Sequence, residues 1–373
     1  MSSKSDFNCS VLIPDGEHAL LFQVVSCLSA CKNVSIHVLS NKKNVPISYS
    51  RHLKSFNIIK TTSPKEWLHE IDNYVLQNQI DIILPIQEKS IEKLIKHRTQ
   101  LKASHTLVPF PSLENYKTAI DKANLATHLT KFSINCPKTI VVVPGDNYPE
   151  INQLGYPIIA KPSRSIDGYG IKVLSNKDDT HRFLKSFSST YVLQEFIEGY
   201  DIDCSVLCKD GVVLLHIIQK GILFENRKFA PAIGLQFLQE EKLLEIVRAL
   251  MTSLKWTGVA HIDLRYDKKT KVFKVIEVNG RFWGSMEGAL AAGYNFPYLY
   301  CLLAKNIPFK VSTYKKIKHY NIKGLVKLIN QKPSILFNWS FLRKHTTLCY
   351  IFKDPLPTIA RFIKRTRVIL RRR

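Results

Sequence analysis

The chain has 373 residues, 45% of them hydrophobic, enough apolar material for two or three packed domains. Its formal net charge of +24 would suit a nucleic-acid binder, but residues 305–373 hold 18 Lys or Arg against one acid. The body is therefore only mildly basic, and no nucleic-acid partner is expected for it. Eight cysteines lack a Cys-x-x-Cys pair or histidines at metal spacing, and read as reduced thiols of a cytoplasmic protein. MSSKSDFNCS at the start has no signal-peptide apolar region, and no early apolar run is long enough to span a bilayer.

The first hundred residues alternate. CSVLIP (9–14) reads as a buried strand, 18–31 as a helix and VSIHVLS (34–40) as a strand. FNIIKT, the helical EWLHEIDNYVLQNQ and IDIILP (80–85) repeat the pattern, which predicts a parallel sheet with helices on its faces. No Gly-x-Gly-x-x-Gly follows the first strand, so a dinucleotide site is not supported. Glu88, just past IDIILP, stands where a parallel sheet lines a cleft.

A proline-rich stretch at 108–116 marks a boundary, with a helix predicted over 113–132. YPIIAKPSRSIDGYGIKVLSN then runs strand, polar loop, strand, and 191–196 is a further short strand. CSVLCKDGVVLLHII reads as a hairpin turning at Asp210–Gly211, 243–254 as an amphipathic helix, and HIDLRYDKKTKVFKVIEVN as a second hairpin. GALAAGYNFPYLYCLLAKN predicts helix, a break at Pro297, and more helix. This antiparallel α+β layer differs from the α/β start. The divisions expected are 1–112 (Rossmann-like), 113–190 (a small lobe), 191–310 (a large lobe with a metal site) and 311–373 (a basic extension).

The chemistry concentrates in KVIEVNGRFWG (274–284), where Glu277, Asn279 and Arg281 alternate as one face of a continuing strand would. Asp263 lies on the preceding strand of the same hairpin. Two carboxylates and an amide oxygen are hard ligands suited to magnesium, which completes its shell with water and phosphate. Arg281 can hold a phosphate or a developing anion. Upstream, Lys161 ends an apolar strand before the loop SRSIDGYG (163–170), whose Gly168 and Gly170 allow close backbone approach to phosphate oxygens. Gln194, Glu195 and Ile197 lie on a stretch suited to an adenine edge.

These pieces, in order, resemble the ATP-grasp enzymes: IDIILPIQEKS, DKANLATHL, INCPKT, YPIIAKPSRSIDGYGIKVL, VLQEFIEGYDIDCSVL and GVAHIDLRYD…FKVIEVNGRFWGS. The resemblance spans about 81–297. It implies a Rossmann-like domain followed by two α+β lobes that grip ATP between antiparallel sheets. It further implies Lys122 and Lys161 on the phosphates, Ser163–Gly170 as the loop closing over them, and Gln194, Glu195 and Ile197 on adenine. Asp201 takes the ribose position, Asp263, Glu277 and Asn279 the magnesium positions (two ions, replaceable by Mn2+), and Arg281 that of the active-site arginine. The loop has fewer glycines than is common in the family, and Asp201 and Asp263 stand where Glu is frequent. A further triphosphate lysine is expected from Lys220, Arg227 or Lys228.

The implied activity is ATP-dependent ligation: a carboxylate is activated as an acylphosphate and joined to an amine, releasing ADP and phosphate. A small-molecule kinase or carboxylase on the same scaffold, or an inactive nucleotide-binding scaffold, are the alternatives. Glu88 and Ser285 are candidate liners of a substrate pocket, the substrates are small or carrier-borne acids and amines, and a homodimer is common in the resembled family. The end, IARFIKRTRVILRRR, places Ile359, Phe362, Ile363, Ile369 and Leu370 near one helical face among Arg361, Lys364, Arg365, Arg367 and Arg371. Such a helix suits an anionic membrane surface, at the cytoplasmic face.

Overall fold

A computed structural model describes residues 7–61, 63–146, 148–165, 169–226 and 230–370, apart from the side chains of 149 and 368–370. The chain divides into two compact units, Met1–Phe110 with Arg281–Arg373, and Pro111–Gly280.

The first unit begins β1 (Cys9–Ile13), α1 (Leu21–Leu28), β2 (Val34–Ser40), β3 (Leu53–Ile58), α2 (Pro64–Asn78), β4 (Ile82–Ile83) and α3 (Glu88–Lys96). Its four strands run parallel in the order β3-β2-β1-β4, as the strand–helix alternation predicts. Leu12, Leu39 and Ile83 pack with Trp67, Leu68 and Ile71 of α2 in one apolar core. Ser63 caps α2 by accepting from the Glu66 amide, and Pro64 occupies its first turn, where no amide donor is needed.

The second unit opens with α4 (Leu113–Ile120) and α5 (Lys122–Lys131), where a single helix is expected. The break is Asp121: its Oδ1 accepts from the amides of Ala123 and Asn124, so a new helix starts with Lys122 as its first residue. Next come β5 (Thr139–Val142), β6 (Ile158–Pro162), β7 (Lys172–Leu174), α6 (Lys177–Leu184) and β8 (Tyr191–Glu195), forming an antiparallel sheet in the order β5-β8-β6-β7. Then follow β9 (Gly199–Lys209), β10 (Val212–Leu223), β11 (Gly234–Leu238), α7 (Glu241–Ser253), β12 (Gly258–Asp267) and β13 (Val272–Asn279). Within the unit these strands order as β13-β12-β9-β10-β11, all antiparallel. Asp210 and Gly211, both at positive φ (49° and 84°), make the tight turn between β9 and β10.

The chain returns to the first unit with α8 (Met286–Ala292), α9 (Phe296–Ala304), β14 (Lys318–Tyr320), α10 (Ile322–Gln331), α11 (Trp339–His345), α12 (Leu348–Lys353) and α13 (Pro355–Leu370). The break expected at Pro297 falls earlier, at Gly293. That glycine ends α8 at φ +122°, while Pro297 fits within the first turn of α9 behind the Asn295 cap. No described helix is long and apolar enough to cross a membrane.

Candidate active site

Phe273 and Val275 of β13 are buried, so strict alternation would turn Glu277 into the core as well. A bulge prevents this. Asp263 pairs with Glu277 and Leu264 with Val275, leaving Ile276 as an extra residue. The slip sends Val278 inward and brings Glu277 and Asn279 to the side of the sheet that carries Asp263. The alternation read from the sequence therefore holds only after the bulge, and β13 ends at Asn279, before Arg281.

Asp263 is surrounded by polar side chains of its own sheet. His261, two residues earlier on β12, sets Nε2 3.2 Å from Asp263 Oδ1, while its Nδ1 lies 2.8 Å from Ser205 Oγ. Asn279 Nδ2 donates to Asp263 Oδ2 at 3.5 Å. Asp203, opposite Asp263 on β9, accepts from Gln219 Nε2 at 3.2 Å. Burial pushes the Asp203 carboxyl up; the Gln219 bond opposes this and the Asp201 charge adds to it. Asp203, His261 and Asp263 offer ligand atoms within 4.8 Å of one another.

Cationic groups meet this acidic face. Lys122 Nζ lies 3.2 Å from Glu277 Oε1, with the lysine only 5% exposed. Lys122 is also tied to the start of the 163–170 loop: its amide donates to Ser163 O at 2.9 Å and its Nζ to Ser165 O at 3.4 Å. Ser163 Oγ in turn donates to Asp121 Oδ1 at 2.6 Å. One carboxylate thus caps α5 and anchors the loop. Burial lowers the Lys161 ammonium to about 8, against the pull of Glu277 and with Lys122 adding to the drop. Gly170, at φ +78°, could not carry a Cβ, which would meet Pro162 Cγ at 2.7 Å. Gly168, Arg227 and Lys228 lie outside the described residues.

The expected adenine and ribose residues are held by local partners. Gln194 is buried, and its Nε2 donates to Thr139 Oγ1 at 3.0 Å. Glu195 Oε1 accepts from Lys274 Nζ at 2.8 Å and from the Lys138 amide at 3.0 Å. Arg265 donates to Ile197 O at 2.7 Å, to Gly199 O at 3.2 Å and to the Asp201 carboxylate. It thereby pins the segment between β8 and β9. Lys220 places its ammonium 3.6 Å from the Tyr200 ring centroid.

In the first unit, Arg281 Nε lies 3.5 Å from Glu88 Oε1. Asp15 holds the turn into α3 that carries Glu88, accepting from the amides of Ile86 (2.7 Å) and Gln87 (3.2 Å) and from the Ser90 hydroxyl. Ser285 precedes α8 and its carbonyl accepts the Ala289 amide.

His261, Asp203, Asp121 and Arg265 stand among the candidate site's residues, and sequence reasoning missed them. His261 carried a local signal, being two residues from Asp263 on one strand and so on the same face. Asp203 carried none, because its place depends on the pairing of β9 with β12 across some sixty residues.

The donor set suits a hard divalent cation: carboxylate oxygens of Asp263 and Glu277 and the Asn279 amide oxygen, with an ammonium balancing Glu277.

Comparison with known proteins agrees. Residues 119–285 match the family model of the ATP-grasp domain. The D-alanine–D-alanine ligase of Bacillus anthracis is 25% identical over 143 residues, covering 36% of this chain and 46% of that protein. The D-aspartate ligase of Enterococcus faecium is 20% identical over 213 residues, covering 51% and 50%. The chain thus spans about half the length of the curated relatives it matches. The N5-carboxyaminoimidazole synthetase of Staphylococcus aureus complexed with ADP superposes with a TM-score of 0.67 at 17% identity, covering 88% of this chain and 87% of that one. Residues 119–285, with the antiparallel sheets that carry this acidic face, thus resemble an ATP-grasp domain.

Proposed function

We propose that the chain is an ATP-dependent ligase that activates a carboxylate as an acylphosphate and joins it to an amine, releasing ADP and phosphate. The observation that carries this reading is the meeting of Asp263, Glu277 and Asn279 with the Lys122 ammonium on one side of the β12–β13 hairpin. A carboxylate is a poor electrophile, and phosphorylation supplies the leaving group that an amine then displaces. The carboxylate oxygen attacks the γ-phosphorus, the β–γ bridging bond breaks, and ADP departs. The amine next adds to the acyl carbon, loses a proton and expels phosphate.

Asp263, Glu277 and Asn279 would hold magnesium, which when bound offsets the repulsion between ATP and the acid. Two ions are assigned, with Mn2+ able to substitute. Lys122 and Lys161 hold phosphate oxygens, and the 163–170 loop covers them. Gln194, Glu195 and Ile197 line the adenine edge, where the Glu195 carbonyl and Ile197 amide carry recognition and the Gln194 amide would have to leave Thr139. Asp201 takes the ribose, and Arg281 steadies the transferring phosphoryl group. No protein nucleophile is required. The functional divisions 1–112, 113–190, 191–310 and 311–373, a homodimer, a cytoplasmic location and a basic terminal helix lying on an anionic membrane surface complete the reading.

The test is ADP release across a panel of acids and amines, on the wild type and on Glu277→Ala. ADP formed only with both substrates, and lost in the variant, is expected. AMP release overturns the acylphosphate scheme. ADP formed with bicarbonate alone moves the assignment to a carboxylase, and ADP formed with an acceptor but no amine moves it to a kinase.

A further inference from the structure

Trp339 on α11 and Phe352 on α12 sit with ring centroids 5.9 Å apart, yet each keeps about three-fifths of its surface exposed. Phe337, just before α11, is 89% exposed. Among the described residues, eight of the twelve large apolar side chains that are more than half exposed fall between Val326 and Phe362. That concentration in about a tenth of the chain marks an interaction surface rather than ordinary scatter.

That segment lies within residues 305–373, which carry 18 Lys or Arg against the single acid Asp354. Asp354 is itself engaged by the Ser50 hydroxyl and the Arg51 amide. Arg343 follows Trp339 by four residues and so shares its side of α11, and exposed Lys353 directly follows Phe352. Rings beside cations need a partner that is apolar at one depth and anionic at another. A second copy of this chain would set one strongly positive segment against another. A phospholipid bilayer supplies acyl chains, an interfacial layer that favours tryptophan, and negative headgroups. Since no described helix can cross a membrane, the contact lies along its surface.

We propose that Phe337, Trp339 and Phe352, with the basic residues of their segment, seat the chain on an anionic phospholipid bilayer. The inference deepens, and rests on, the membrane reading given above, and it moves the anchor. The terminal helix α13 is fastened to its own unit, with Arg361 5.3 Å from the Phe22 ring and Lys364 Nζ donating to Asn44 O at 3.4 Å. The side chains of Ile369 and Leu370 and the whole of Arg371 lie outside the described residues. With α13 held in this way, Phe337, Trp339 and Phe352 ahead of it lead the contact, and the exposed Leu356, Ile359 and Phe362 of α13 add to it.

The test is flotation of the full chain with phosphatidylcholine vesicles, with and without phosphatidylglycerol, at low and high salt. The wild type is expected to float only with anionic vesicles and to be released by salt. The exposed triple variant Phe337→Ser/Trp339→Ser/Phe352→Ser should keep the wild-type melting temperature and bind at least about tenfold more weakly, three interfacial anchors being gone. A wild type that does not float overturns both the membrane reading and this inference. A triple variant that floats normally, while Lys364→Gln/Arg365→Gln/Arg367→Gln does not, restores α13 as the anchor and overturns this inference alone. Absence of vesicle binding together with a dimer that the triple variant splits, or with a nucleic-acid band shift, reassigns the surface and overturns it.

Discussion

Lys122 Nζ and Glu277 Oε1 lie 3.2 Å apart, joining the first residue of α5 to the strand that supplies two of the expected metal ligands. Lys122 is almost fully buried and Glu277 about three-quarters so. Lys122→Met leaves that carboxylate without its cation, a loss of about 3 kcal/mol for a broken pair that retains some contact with water. A divalent cation at Glu277 should recover part of this. Thermal melts with and without magnesium check it: the rise on adding magnesium should be larger in Lys122→Met than in the wild type. Equal rises would mean that Lys122 does not balance Glu277.

Lys161 titrates near the working range, because burial lowers its ammonium to about 8 while Glu277 pulls it back up. Below that pH the side chain carries the charge that the proposed phosphate contact needs; above it the charge is lost. ATP affinity should therefore be flat below neutrality and fall as pH rises past about 8. Binding above that pH should take up a proton, visible by calorimetry in buffers of different ionisation enthalpy. Lys161→Arg stays charged and should bind without proton uptake.

His261 bears on Asp263, its Nε2 lying 3.2 Å from one carboxylate oxygen while Ser205 fixes the ring. Removing a group that orients a metal ligand commonly costs roughly 10- to 100-fold in metal affinity. His261→Ala should weaken magnesium binding in that range, with little change in melting temperature. His261→Asn, which keeps a donor, should recover part of it. A variant with unchanged magnesium affinity would reduce His261 to packing.

The parts of this site legible in the sequence are those set by local rules. The hairpin that carries Asp263, Glu277 and Asn279 follows from alternation and a charged turn, and the β9–β10 turn follows from Asp210–Gly211. What escaped depends on choices that periodicity does not encode. The bulge at Ile276 decides which side of the sheet Glu277 faces, yet it leaves no mark in a run of apolar and polar residues. Asp121 splits one expected helix in two because its side chain can reach two amides and the Ser163 hydroxyl, and that hydroxyl comes from the loop after β6, some forty residues away. Gln194 illustrates the opposite case. Sequence order points to the segment, but only the pairing of β5 with β8 puts Thr139 opposite its amide.

Gly280 follows the Asn279 ligand position and is pressed against an aromatic pair. Tyr116 and Trp256 stack at 5.8 Å, and the Tyr116 hydroxyl donates to Gly280 O at 3.1 Å. A Cβ on Gly280 would sit 2.8 Å from Tyr116 Cε2 and 3.1 Å from both Ile120 Cγ2 and Trp256 Cη2. Three packed neighbours leave little room to yield, so Gly280→Ala should cost about 1–3 kcal/mol and disturb Asn279. Chemical denaturation checks the first and magnesium calorimetry the second. In a double-mutant cycle, adding Tyr116→Leu should cost less in Gly280→Ala than in the wild type, because the smaller side chain relieves the clash.

His319 should set an acid sensitivity far along the chain from the proposed nucleotide residues. It is 4% exposed on β14, and its Nε2 has no hydrogen-bond partner among the described residues. Burial lowers the imidazole to about 4, with nearby His345 adding to the drop and a backbone bond at Thr346 opposing it. A histidine lowered in the folded state contributes stability that is fully present above its ordinary value of 6.5. That stability is lost as pH falls towards about 4, because the unfolded chain takes the proton first. At about 1.4 kcal/mol per unit, the whole effect is about 3.5 kcal/mol. Urea midpoints measured across that window should fall in the wild type, and the fall should be shallower in His319→Leu, which has no proton to gain. Parallel slopes in the two proteins would place the acid sensitivity elsewhere, in Asp or Glu side chains with depressed carboxyls such as Asp267, held down to about 2 by its Thr270, Lys274 and Lys269 hydrogen bonds in spite of burial.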